Sequence, residues 1–152
     1  MIGNGLKVLA AVAVLGVAGC GGGDSNKALS YSDFSTQAND ICKSENAKIK
    51  PVGDKLTGKA TADAPVYDAL IPKLQDARDK IGALKAPDAL KPSFDSFLSI
   101  TDQQIAKAKE AQTAAKTGND SAYIAVLKAT QPLAKQSDAA GSKLGAADCA
   151  KG

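Results

Sequence analysis

From residue 30 onward, apolar side chains return every three or four positions, the spacing that gathers them on one face of a helix. The first such stripe is Phe34, Ala38, Ile41, Cys42 and Ile49. It opens at Ser30-Tyr31-Ser32-Asp33, where a serine can accept from a free first-turn N–H and an early acid suits the positive end of the helix dipole. It is expected to end near Pro51. A loop through Gly53, Gly58 and Thr61 leads to Asp63-Ala64-Pro65, read as a cap residue with proline in the first turn. Behind it, Val66, Leu70, Leu74, Ala77, Ile81 and Leu84 predict a second helix, broken by Lys85-Ala86-Pro87-Asp88. A third, from near Pro92, carries Phe94, Phe97, Leu98, Thr101, Ile105, Ala108 and Ala115 as far as Thr117-Gly118-Asn119. A fourth starts at Asp120 or Ser121, shows Tyr123, Val126, Leu127, Thr130, Leu133, Ala134, Ala140 and Leu144, and runs toward Cys149.

No segment competes as a strand. Four amphipathic stretches with short connections bury their stripes most simply as an all-α, up-and-down four-helix bundle over residues 30–152. Pro72 and Pro132 lie inside the second and fourth helices, where each removes a backbone hydrogen bond and is expected to kink or split its helix. The composition agrees with helix: alanine is mixed with Leu, Lys, Asp and Gln. With three Phe, three Tyr and no Trp, the core has to be built largely from small aliphatic side chains.

The first 29 residues follow a different pattern. Residues 1–7 carry one cation, Lys7, and precede an apolar run from Val8 to Ala18. About ten apolar residues are too few to cross hydrocarbon, which takes roughly 20, so a cleaved export leader over residues 1–19 is expected. Residues 20–29, Cys-Gly-Gly-Gly-Asp-Ser-Asn-Lys-Ala-Leu, have the glycine-rich polar composition of a flexible tether. The leader ends in Val17-Ala18-Gly19-Cys20, which resembles the bacterial lipobox. That resemblance implies a diacylglycerol thioether on Cys20, acylation of its amine after cleavage, and an exported chain held on the outer face of the cell membrane. Two acyl chains would hold it stably, each buried methylene contributing about 0.8 kcal/mol.

Lipidation of Cys20 leaves Cys42 and Cys149 as an even pair, and in an oxidising compartment a disulfide between them is expected. It would close a loop of about 107 residues, worth roughly 4 to 5 kcal/mol by chain entropy. A redox-active or metal-binding pair is the poorer reading, because the chain has no Cys-x-x-Cys and no histidine.

The lack of histidine also removes the commonest general base and imidazole ligand. The formal net charge is +3; without Lys7 the balance is 18 basic against 16 acidic side chains, alternating in sign. That pattern gives no phosphate-tracking surface, so no nucleic-acid partner is expected, and no cofactor or metal site is indicated. The two glutamates are Glu45 and Glu110, and the single arginine, Arg78, is expected in an exposed ion pair. Asp68, Asp76, Asp79, Asp95 and Asp102 read as solvated surface paired with interspersed cations. Tyr31, Tyr67 and Tyr123 could line a groove, though burial of one edge with the hydroxyl at a rim is commoner.

With the lipobox, the stretch Phe34 to Cys42, the Leu84-Lys85-Ala86-Pro87 break and the closing Leu144-Gly145-Ala146-Ala147-Asp148-Cys149, the chain resembles small alanine-rich helical lipoproteins of high-GC Gram-positive bacteria. The resemblance implies an envelope protein with helix-tethering cysteines and supplies no catalytic residues. The expectation is a non-enzymatic binder of a protein, cell-wall or small apolar partner. The alternative is a structural spacer or envelope assembly factor without a ligand. An apolar groove near Pro72 and Pro132 would favour the binder, and a fully packed bundle the spacer.

Overall fold

The structure is a computed structural model that describes residues 27–150. Leader, lipobox and most of the tether, Cys20 included, lie outside the described residues. Four helices make up the domain: α1 Tyr31–Gly53, α2 Ala60–Gly82, α3 Lys91–Lys116 and α4 Asp120–Lys143, followed by a 3-10 turn at Ala147–Ala150. No strand occurs among the described residues. The all-α bundle closed by a disulfide is therefore as the stripes predict.

The helix starts are fixed by local chemistry. The Ser30 hydroxyl accepts from Asp33 N–H at 3.1 Å, and the Asn119 side chain accepts from Ala122 N–H at 3.0 Å. For α2 the start departs from expectation. It begins at Ala60, three residues before Asp63, and Ala60 N–H donates across the bundle to the Asp120 carboxylate of α4 at 3.1 Å. Asp63 is thereby freed from capping and buried. Neither Pro72 nor Pro132 splits its helix, and Pro51 sits in the last turn of α1, which runs on to Gly53.

Helix α4 stops earlier than its pattern suggests. Gly145 takes φ +68°, Ala146 N–H reaches back to Gly141 O, and Gly145 N–H reaches Ser142 O, a paired closure that turns the chain sharply. The last residues then fold back along the bundle. At Gly141 a Cβ would lie 2.9 Å from the carbonyl carbon of Cys149, so glycine lets the 3-10 turn lie against α4.

Packing runs α1 on α2, α2 on α3 and α3 on α4, while α1 and α4 scarcely touch. The 3-10 turn packs on both and closes the bundle. One stripe of α1 holds it: Ser35 Oγ donates to Leu144 O, Asn46 Nδ2 to Asp148 O, and Asn39 Oδ1 accepts from Asp148 N–H. Cys42 lies on the same stripe and forms the disulfide with Cys149, Cα to Cα 5.1 Å.

The core comes in two parts. At the end where α1 and α3 start, Phe34, Phe94, Phe97, Ile81 and Leu144 cluster, with Phe34 and Phe94 edge to face at 5.1 Å. At the other end Tyr67, Leu70, Ile71, Ala115 and Tyr123 form the second cluster. Leu29, the last residue of the expected tether, packs against the first cluster, and its N–H donates to Lys85 O at 3.0 Å.

Candidate functional site

Between the two clusters the helix stripes continue but do not meet. Ile41, Cys42 and Ile49 on α1 are only half-buried, as are Val126, Leu127, Thr130 and Leu133 on α4. Where α1 and α4 do not pack on each other, a cavity of about 430 Å³ lies among the four helices. That is within the size usual for small-molecule sites, and at about 30 Å³ per water-sized group it admits a chain of ten or so heavy atoms.

Its walls come from every helix. Ile41 and Ile49 face it from α1, Leu74, Ala77 and Ile81 from α2, Phe97 from α3 and Ala134 from α4. The disulfide, through Cys42 and Cys149, also forms part of the wall. Neither Pro72 nor Pro132 lines it, both being exposed, so the cavity is not formed by the expected proline kinks. A second recess, between α3 and α4, is bordered by Pro92, Ser93, Ser96, Ile100, Gln136 and Lys143, and is a surface furrow of mixed polar and apolar lining.

Midway along α1, the one buried residue that this helix turns toward the cavity is a glutamate. Glu45 is 4% exposed and contributes to the cavity wall. Its Oε1 accepts from Lys48 Nζ at 2.7 Å and Lys80 Nζ at 2.9 Å. Those two bonds outweigh the desolvation of burial and hold the carboxyl below its ordinary range, so it is ionised at neutral pH. Oε2 is buried with no hydrogen-bond partner among the described residues. A buried, ionised oxygen in that condition is an acceptor in search of a donor.

Arg78 also borders the cavity, but its Nε and Nη2 form a two-pronged pair with Asp102 at 2.7 and 3.0 Å, joining α2 to α3. The expected ion pair is present, with a partner on the next helix. Asp68 pairs with Lys116, Asp76 with Lys80 and Asp95 with Lys91, as a solvated surface predicts.

The three tyrosines separate. Tyr31 is exposed, while Tyr67 and Tyr123 are buried edge to face at 6.1 Å in the distal cluster. Tyr123 donates to Asp63 Oδ2 at 2.7 Å, and the Asp63 carboxylate also accepts from Thr57 N–H, Thr57 Oγ1 and Gly58 N–H at 2.7 to 2.8 Å. Burial pushes the Asp63 carboxyl upward, yet these donors together hold it below its ordinary value. Burial, aided by Tyr67 and Asp63, pushes the Tyr123 phenol up. Every oxygen of Asp63 is satisfied, which makes this network a clamp on the α1–α2 loop.

No cluster of His, Cys, Asp or Glu able to hold a metal occurs among the described residues, and no helix among them is long and apolar enough to cross a membrane. No family model matches the chain, and neither does any curated protein or solved structure with which it was compared. Of the candidate site residues, the disulfide pair is brought together as expected. Glu45 was not singled out by sequence, although its place on the α1 stripe, three residues after Cys42 and four before Ile49, marks it for burial.

Proposed function

We propose that this chain is an exported lipoprotein, anchored through Cys20 on the outer face of the cell membrane, whose bundle binds a small apolar ligand in the cavity between α1 and α4. The observation that carries the binding half is the interruption of the core: Ile41 and Ile49 of α1 face about 430 Å³ of space that is closed from α2 by Leu74, Ala77 and Ile81, from α3 by Phe97 and from α4 by Thr130, Gln131 and Ala134. A spacer needs only end-to-end packing, and an Ala/Leu chain could achieve that by letting α1 and α4 touch. Instead α1 and α4 are joined through a 3-10 turn, three side-chain hydrogen bonds and a disulfide, without packing along their lengths. No catalytic role is assigned to any residue.

The full chain carrying Cys20→Ala is expected to bind the apolar dye Nile red saturably at one site. Ala77→Trp, which builds a large side chain into the cavity from α2, should weaken that binding at least about tenfold, a loss of about 1.4 kcal/mol. An unsaturable signal, or a Trp variant that binds as before, would refute the cavity as the site.

The anchor rests on the Val17-Ala18-Gly19-Cys20 match and on cysteine parity. In bacteria fed an alkyne fatty acid, the wild-type chain should take up the label and pellet with membranes, and Cys20→Ala should do neither. Label retained in Cys20→Ala would refute anchoring through that residue.

A further inference from the structure

Resting on the cavity reading, we infer that the ligand is a single-chain amphiphile with an uncharged hydrogen-bond donor, such as a hydroxyl, at its head, and that Glu45 Oε2 receives that donor. An apolar body is required by walls of Ile41, Leu74, Ile81 and Phe97. The head group follows from Glu45. A methyl ester or ether head offers Oε2 no proton and leaves a buried anion oxygen unpaired, as it is without ligand. A hydroxyl donates to it. Glu45 borders the cavity while its Oε2 is itself covered, so receipt of the donor requires the carboxylate to turn about its broad terminal torsion.

Charge narrows the class further. A carboxylate head would meet the Glu45 anion among largely apolar walls, and the nearest cations are engaged. Lys48 pairs with Glu45 itself, Lys80 is shared between Glu45 and Asp76, and Arg78 holds Asp102 in two bonds. Lys48 and Lys80 are not part of the cavity wall. An ammonium head would add a third cation beside two lysines already on one carboxylate. The uncharged donor satisfies Oε2 without disturbing either balance.

Displacement of Nile red from the full chain carrying Cys20→Ala separates these heads on one ten-carbon body. 1-Decanol is expected to compete at least about tenfold more tightly than 1-methoxydecane, which keeps the oxygen and lacks the donor, and than decanoate at pH 8. Glu45→Met, nearly isosteric and leaving two half-exposed lysines to water, should keep Nile red binding and abolish the preference of alcohol over ether. Equal competition by alcohol and ether, tighter binding of decanoate, or a preference that survives Glu45→Met overturns the head-group assignment while the cavity reading stands. Competition by none of the three also overturns it. Failure of Nile red itself to bind removes the cavity reading and this inference with it. The wild-type Glu45 series needs no folded variant, so an unstable Glu45→Met chain leaves the first comparison decisive.

Discussion

Replacing Cys42 with serine is expected to lower the melting temperature by about 15 to 25 °C, the largest effect of any single side chain in this domain. The sequence separation of 107 residues means that the bond restrains nearly the whole unfolded domain, worth roughly 4 to 5 kcal/mol by chain entropy. Typical domains are stable by only about 5 to 15 kcal/mol, so this is a large share. The native side adds a reason particular to this fold. Helices α1 and α4 have no apolar seam of their own, and the 3-10 turn that joins them is held by Cys149 and by the hydrogen bonds of Ser35, Asn39 and Asn46. Without the disulfide those polar contacts must hold the closure alone, each contributing about 1 kcal/mol. Thermal melts by circular dichroism, with and without reductant, measure the effect. Reduced wild type should melt with Cys42→Ser, and a drop below about 5 °C, or labelling of both cysteines in unreduced protein, would contradict the account.

The same seam shows which parts of the structure were legible in the sequence. Stripes of period 3.6 predict helices because one burial pattern demands one backbone, and α1, α3 and the start of α4 fall where Ser30, Pro92 and Asn119-Asp120 put them. The disulfide followed from compartment and parity, which need no geometry. What the stripes do not carry is which stripe meets which. Val126, Leu127, Thr130 and Leu133 read as core, yet they remain half-buried: Val126 and Leu127 lie at the margin of the second cluster and Thr130 borders the cavity. By pattern alone the turn after Gly145 continues α4, because the apolar Leu144 extends the stripe and a single glycine, Gly145, is a weak stop signal. Asp63 was misplaced for a related reason. An acid before a proline at the start of an apolar run is the local signature of a cap. Its true role depends on Tyr123, sixty residues away, and no local pattern encodes that contact.

That contact sets the second large effect. Asp63→Ala is expected to cost about 3 kcal/mol or more and to lower the melting temperature by about 10 to 15 °C, because it strands the buried Tyr123 hydroxyl and releases the Thr57 and Gly58 donors. Tyr67 offers the Tyr123 hydroxyl only a 3.4 Å neighbour in compensation. The pH dependence follows from the directions of the two shifts. Asp63 is held below its ordinary 3.8, so the unfolded chain binds that proton more readily, and its contribution is present above that value and fades as pH falls through and below it. Tyr123 is held above its ordinary 10.0, so its contribution is complete below pH 10 and is lost as pH rises beyond it. Wild-type stability should therefore fall on both flanks. Asp63→Asn should remove the Asp63 part of the acid flank, leaving the parts due to Glu45, Asp68, Asp76 and Asp102, whose carboxyls are also held low. Tyr123→Phe should remove the alkaline contribution of that phenol. The double variant Asp63→Ala with Tyr123→Phe closes a cycle with the two single variants, and a coupling well above about 0.5 kcal/mol is expected because each partner's loss strands the other. Additive single effects, or an acid flank unchanged in Asp63→Asn, would mean that the loop is held by packing of Tyr67 and Tyr123 alone.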